Sequence, residues 1–344
     1  MSRATPEVWT RLRTTRAAQP GYAASTEARR RTYSAAMEQF EELMRAADQV
    51  GSAARPLPLF YALSQAGRAV AAAHADEPWQ LRGHGLQLKD EGRPLLNRRV
   101  NPGRGPNASF RRVTEATGSD VLEQPVTVNA LCASLPELAV VPELCDLAPR
   151  ALFVKPIVQS GGAVIVVSPY AEAYVVNLPA AVGGAEDPTS VINEHLLHYP
   201  SAAGWELPEP LQRIPPVDNW GATAVIRWRV PDEVQSPNEP ERQARIREVA
   251  PQYRTADQQW CRPAVASGTV LSPLMTWWAV LYALSMVARY EPDMWIGLLN
   301  VDESHLAVPL EGLLEEALEA VPHLVLDALQ GTPFLLRPIA RYQG

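Results

Sequence analysis

The chain has 344 residues, 47% hydrophobic and 20% charged, enough to bury a substantial core in two domains or in one with a large insertion. Cys132, Cys145 and Cys261, odd in number and without CxxC spacing, exclude a disulfide framework and a structural zinc site. The basic start MSRATPEVWTRLRTTR lacks the apolar stretch of a secretory leader, and the most apolar run, LMTWWAVLYALSMVA (274–288), has 15 residues and is short for a membrane span, so a cytoplasmic protein is expected.

From Ser25 to about Val50, Met37, Phe40, Leu43, Met44 and Ala47 recur as one face of an amphipathic helix that Gly51 ends. Pro56 and Pro58 open a second helix over about 58–74, with Leu59, Leu63, Ala66 and Val70 on its apolar face. Asp76-Glu77-Pro78 breaks it, and RGHGL (82–86) follows as a glycine-flanked turn. A short helix near 127–134 ends at Pro136.

The period then changes. ALFVKPIVQ (151–159), AVIVVSPYAEAYVVNL (163–178) and GATAVIRWRV (221–230) read as strands, and the proline-rich stretch 200–220 reads as a connector. Helices resume with PERQARIREVAPQY (240–253), 272–290 and a last pair over 309–330. The fold class expected is α+β, mainly α-helical, in three regions. A helical region covers 1–150, a β-rich one 151–235, and a C-terminal helical one 236–344 packs back on the first.

One phrase occurs twice. YALSQAGR (61–68) returns as YALSMVAR (282–289), placing Tyr61, Ser64 and Arg68, and again Tyr282, Ser285 and Arg289, at i, i+3 and i+7. At about 100° per residue each trio lies within roughly 60°, one polar stripe ending in a permanent cation on a mostly buried helix. The echo is too short for an internal duplication. A buried arginine on such a helix needs a carboxylate partner; for Arg289 the candidates are Glu291, Glu315, Glu316 and Glu319.

The net charge of −7 conceals a division: residues 1–113 hold 18 Lys and Arg against 10 Asp and Glu, and the remainder holds 13 against 28. Between Glu91 and Glu115 there is no acid, while RPLLNRRVNPGRGPNASFRR supplies Arg93, Arg98, Arg99, Arg104, Arg111 and Arg112. Guanidinium forks in a Gly/Pro/Asn-rich loop suit phosphate oxygens. The alternative is a solvated loop that neutralises the acidic C-terminal half. With only Lys89 and Lys155 as lysines, arginine is this chain's default cation. The nine tryptophans divide between core packing and a groove or subunit interface.

No phosphate-binding GxxxxGK[ST], strand–GxGxxG–helix, GxSxG or kinase motif is present, so no cofactor is indicated. His195 and His198 stand at i, i+3 without a third ligand in view, so no metal site is assigned.

PLPLFYALSQAGRAVAAAH…GHGL (56–86) and LSPLMTWWAVLYALSMVARYEPDMW (271–295), with NASF and LCASLPEL between them and AVPHLVLDAL near the C-terminus, resemble the YaaC-like family of bacterial proteins over about residues 30–330. That resemblance implies little about chemistry. The N-terminal portion also resembles the helical HEPN superfamily. Many of its members are metal-independent ribonucleases or defence toxins that carry an arginine, four to six intervening residues, and then a histidine. Arg68-AVAAA-His74 fits that spacing.

Metal-free RNA cleavage requires a base for the 2′-hydroxyl and a cation for the charge that develops on phosphate, both facing one cleft. His74 lies about 240° around an ideal helix from Arg68 and reaches that cleft only if the helix ends or kinks between them. His84, between Gly83 and Gly85, is the other candidate. The expectation is a HEPN-like, RNA-directed endoribonuclease of the defence or toxin type, in which Arg68 and His84 act ahead of His74, Tyr61 and Ser64 orient them, and the 93–112 arginines hold the backbone. Its expected partners are RNA, a protein partner or a second copy, and no membrane. The competing reading is a non-catalytic interaction subunit, with the Tyr282, Ser285, Arg289 and Glu291 stripe as an internal strut and the arginine loop docking an acidic partner.

Overall fold

The computed structural model describes residues 5–103, 105, 108–145, 147–157, 170–214, 221–229, 247 and 249–332. In chain order these form α1 (Pro6–Ala17), α2 (Glu27–Gln49), α3 (Pro56–His74), β1 (Leu86–Lys89), β2 (Arg99–Pro102), α4 (Ser109–Ala116), β3 (Val126–Thr127) and α5 (Val128–Ala133). Next come α6 (Pro142–Cys145), β4 (Leu152–Pro156), β5 (Tyr170–Leu178), α7 (Ala181–Gly184), α8 (Pro188–Leu196), β6 (Arg213–Ile214), β7 (Ala222–Arg229), β8 (Gln252–Tyr253) and β9 (Thr255–Cys261). The series ends with α9 (Pro273–Tyr290), α10 (Pro292–Leu298) and α11 (Ala307–Gln330). The protein is thus α+β and mainly helical, with a β-rich middle.

Contacts divide the chain into two units, Met1–Cys132 with Val265–Phe334, and Ala133–Ala264 with Leu335–Gly344. In the first, α3 is the central helix, flanked by α2, α4, α9 and α11. Its sequence explains the position. Pro56 stands in its first turn, where a missing N–H costs nothing, and Leu59, Leu63, Ala66 and Val70 are buried along with the alanines between them. At Gly67 a Cβ would come within 2.2 Å of the Trp278 ring, so the glycine is what lets α3 and α9 approach so closely. The helix α9 is buried from Leu274 to Ser285, with Ser272 capping its N-terminus and Pro273 in its first turn.

The junctions of this unit are held by buried arginines. Arg29 donates to the carbonyls of Ala72 (2.9 Å) and Ala75 (3.0 Å) at the end of α3, and its guanidinium lies over the rings of Tyr22 and Trp79. Arg55 donates to Ala47 and Val50 carbonyls and to the Glu315 carboxylate. Trp277, Trp278 and Trp295 are buried in the core of this unit, and Trp260 is buried in that of the second.

The second unit is built on an antiparallel sheet in the order β6-β7-β5-β4-β9-β8. Along β5 burial alternates residue by residue, and Ala173 and Val175 face Ile226 and Ala224 of β7. A smaller antiparallel sheet, β1-β2-β3, belongs to the first unit.

Several sequence expectations are corrected. The stretch 93–112, read as loop, contains β2 and the start of α4, and β2 pairs with β1 just before it; each strand is four residues long, and what stabilises them is mutual pairing that no local pattern announces. The helix expected over 240–253 does not reach Tyr253. Pro251 withholds a donor, and Gln252–Tyr253 and Thr255–Cys261 pair as strands; residues 240–246 and 248 of that helix lie outside the described residues, as do 163–169 of the second expected strand. The last pair of helices is one helix, α11, which carries Pro322 in its interior. Burial of Leu318, Val321, Val325 and Leu326 around that proline supports the helix through the lost hydrogen bond. Among the described residues no helix is long and apolar enough to cross a membrane.

Candidate functional site

The two copies of the repeated phrase meet in the first unit. Gly67 faces Trp278, and Tyr61 faces Arg289, whose Nη1 donates to the phenolic oxygen at 3.3 Å. Numbering rises along one helix as it falls along the other, so α3 and α9 run antiparallel and the first residue of one phrase meets the last residue of the other. The stripes differ in depth. On α3, Tyr61 (38% exposed) and Arg68 are exposed and Ser64 is half-buried. On α9, Tyr282 and Ser285 are buried, and only Arg289 emerges.

His84 is presented beside this seam by a turn whose three carbonyls all accept hydrogen bonds. Gly83 (φ +61°) and Gly85 (φ +79°) adopt the left-handed conformation that glycine tolerates without strain. The carbonyl of Gly83 accepts from the Ser109 hydroxyl, that of His84 from Phe110 N–H (3.2 Å), and that of Gly85 from Gly103 N–H (2.8 Å). The main chain is clamped while the imidazole is exposed. The ring lies 5.4 Å from Phe60 and 6.3 Å from Tyr282, centroid to centroid.

Phe60 and Tyr282 form a buried aromatic floor in edge contact (5.4 Å). The Tyr282 hydroxyl donates to the Leu86 carbonyl at 2.8 Å, and burial raises its pKa, so it stays a neutral phenol. The Ser285 hydroxyl is likewise spent on the Tyr282 carbonyl (2.8 Å). These two are structural; the groups open to a ligand are Tyr61, Arg68, His84 and Arg289.

The expected partner of Arg289 is otherwise engaged. Glu291 caps the joint between α9 and α10 and takes both guanidinium nitrogens of Arg98, which is completely buried and also donates to the Arg93 carbonyl (3.0 Å). The hydrogen bonds from Arg98 hold the Glu291 carboxyl below its ordinary pKa. Glu315 serves Arg55. Arg289 therefore lies exposed over the Tyr290 ring (5.0 Å), at a helix C-terminus that favours a cation.

The phosphate cradle expected over 93–112 is largely neutralised from within. Arg98 is sealed in its ion pair. Arg99 pairs with Asp90 (2.6 Å), Arg111 with Glu115 (3.0 Å) and Glu123 (3.1 Å), and Arg112 with Glu115 (3.0 Å) and the carbonyls of Asp76 and Pro78. Arg93 is exposed, and Arg104 lies outside the described residues. The acid-free interval in sequence was misleading because the acids arrive from α4, from residues 90 and 123, and from the α9–α10 joint.

His74 is not brought to Arg68. The helix α3 runs unbroken through both, and His74 Nε2 bonds the Leu329 carbonyl at 3.1 Å instead. In the second unit, His195 Nε2 meets the Tyr199 hydroxyl at 3.0 Å. That hydroxyl donates to the Arg150 carbonyl (2.6 Å), so the imidazole must donate in turn. Burial, with a lesser contribution from His198, lowers the His195 pKa to about 4. Among the described residues no three His, Cys, Asp or Glu side chains form a metal-binding group. Sequence reasoning missed Phe60 and Tyr290, and it cast Arg289 as an internal strut; the shared Tyr-to-Arg spacing, read for two antiparallel helices, was the signal that could have found the Tyr61–Arg289 contact.

What emerges is a mainly helical α+β protein with an open imidazole on an aromatic floor, an exposed Tyr61–Arg289 contact beside it, and a second exposed guanidinium, Arg68, about two turns further along α3. The YaaC-like protein family matches residues 7–329, and the chain belongs to that family. No curated protein and no solved structure matches it.

Proposed function

We propose that the chain is a cytoplasmic, HEPN-like, RNA-directed protein that cleaves RNA without a metal ion, as a defence or toxin-type endoribonuclease. The observation that carries this reading is the exposed His84 imidazole on a clamped turn, its ring 5.4 Å from Phe60 of α3, the helix whose exposed stripe ends in Arg68. In the proposed reaction His84 takes the 2′-hydroxyl proton. The 2′-oxygen then bonds to phosphorus as the bond from phosphorus to the 5′-oxygen breaks, leaving a 2′,3′-cyclic phosphate and a 5′-hydroxyl that acquires a proton from water. Arg68 stabilises the added charge on the phosphate oxygens. A fixed main chain lowers the reorganisation that catalysis requires of the base.

The test is incubation of the purified protein with total RNA in EDTA. Cleavage that persists in the chelator and disappears in both His84→Ala and Arg68→Ala, with circular dichroism unchanged, supports the reading; no cleavage by the wild type refutes it.

A non-catalytic interaction subunit is the second reading. It is favoured by the internal neutralisation of Arg98, Arg99, Arg111 and Arg112 and by the exposure of Tyr290, Ile296, Val301 and Val308 within one short segment. Salt-insensitive association with a protein, without RNA cleavage, is its signature.

A further inference from the structure

We infer that Tyr61 and Arg289 together form a phosphate-binding pair, and that the ligand is a nucleotide phosphate. The inference shares its location with the nuclease reading but does not depend on cleavage. Three features point to an anion. First, Arg289 is an exposed cation whose nearest acid in sequence, Glu291, is committed to Arg98, so no described carboxylate neutralises it. Second, Nη1 of Arg289 donates to the Tyr61 oxygen, so the phenol already accepts and its one proton remains to be donated outward. A guanidinium edge and a phenol O–H then offer donors to one group of acceptor oxygens, which a phosphate supplies. Third, the guanidinium lies over the Tyr290 ring at 5.0 Å, which limits its rotamers before any ligand arrives.

The surroundings make that phosphate part of a nucleotide. Tyr61, Tyr290 and His84 are exposed π-surfaces of the kind on which bases stack without sequence preference. Arg68 lies seven residues from Tyr61, about 10 Å along the same helix edge at ~1.5 Å per residue. It is too far to share one phosphate with Arg289 and is placed for another on the same strand.

Binding is measured by calorimetry with inorganic phosphate and with 5′-AMP. It is measured by fluorescence anisotropy with a labelled 2′-O-methyl RNA hexamer, which keeps the phosphates but lacks the nucleophile. For the wild type the hexamer is expected to bind more tightly than 5′-AMP, and 5′-AMP more tightly than phosphate. Arg289→Ala, at an exposed position, is expected to weaken 5′-AMP binding by about tenfold or more, Tyr61→Phe by about threefold, and Arg289→Lys to restore only part of the loss. Arg68→Ala is expected to weaken the hexamer and leave 5′-AMP unchanged. Absence of binding to any of the three, or unchanged affinity in Arg289→Ala, overturns the inference. Binding lost in Arg289→Ala while no RNA is ever cleaved upholds this pair and refutes the nuclease; cleavage that survives Arg289→Ala does the reverse.

Discussion

Replacing Glu291 by glutamine tests the ion pair that leaves Arg289 free. The Arg98 side chain is 0% exposed and that of Glu291 31% exposed, so the substitution strands a buried guanidinium with an amide oxygen, the Arg93 carbonyl and the Met294 sulfur as its acceptors. Removing one partner of a buried pair costs about 3–5 kcal/mol, because the remaining charge stays desolvated. The partial exposure of Glu291 and the amide oxygen retained by glutamine put the expected loss near the lower end, about 3 kcal/mol. At about 2–4 °C per kcal/mol for a unit of this size, the melting temperature should fall by roughly 6–12 °C. The assay is thermal and urea unfolding followed at 222 nm at neutral pH. Acid titration adds a signature. A carboxyl whose folded pKa is depressed contributes stability that is complete above its unfolded pKa and is lost as pH falls through the folded value. The wild type should therefore lose stability on acidification by more than the variant does. A loss under about 0.5 kcal/mol in Glu291→Gln, together with parallel acid profiles, refutes the buried pair.

Arg68→Ala and Arg289→Ala, both at exposed positions, are each expected to cost less than about 1 kcal/mol, far below Glu291→Gln; a large loss in either unfolding curve contradicts their exposure. Gly67→Ala is expected to destabilise by about 1–3 kcal/mol despite alanine's better helix propensity, since the added carbon meets the buried Trp278 ring at 2.2 Å; an increase in melting temperature disproves the close α3–α9 contact. His195, whose folded pKa of about 4 lies below the unfolded value, contributes stability that is present above about pH 6.5 and declines as pH falls toward 4, by on the order of 3 kcal/mol. His195→Gln, which keeps a donor for Tyr199, should flatten that part of the pH–stability curve, and an unchanged slope counts against the burial assigned to this ring.

The long helices were legible because their apolar period is strong: the expected 25–50, 58–74 and 272–290 fall within a few residues of α2, α3 and α9. The strands β1, β2, β8 and β9 were not. β1 with β2 and β8 with β9 are short pairs held by each other rather than by a strong alternating pattern, and β9 also pairs with β4, Leu152 with Cys261, a partner that no local window contains. Within the site, His74 stays turned away from Arg68 because α3 does not break between them. His84 was singled out for its flanking glycines, and both have positive φ. The phosphate loop was misread for a different reason. Charge counted within an interval ignores carboxylates just beyond it or delivered by other elements, and four of the six arginines there meet one: Arg98 and Arg99 pair with Glu291 and Asp90, and Arg111 and Arg112 with Glu115 of their own helix.

The repeated phrase shows how far context outweighs wording. Both copies place tyrosine, serine and arginine on one stripe, yet α9 buries its tyrosine and serine, with the tyrosine hydroxyl bonded to β1, while α3 exposes its tyrosine and leaves its serine half-buried. A hydroxyl that donates to a buried carbonyl is no longer available to a ligand; one that accepts from an exposed guanidinium is. The chain uses arginine for nearly every cation, so the residue type does not separate struts from ligand-binding groups. The separation is made by the acids. Glu315 and Glu291 are each held by a buried arginine from a loop, Arg55 and Arg98, and that commitment leaves Arg289 without a carboxylate at the mouth of the site. If Glu291 turned back to Arg289, Arg98 would remain buried and unpaired, at a cost larger than an exposed pair returns. The same ion pair therefore stabilises the helical unit and keeps a positive charge open beside Tyr61.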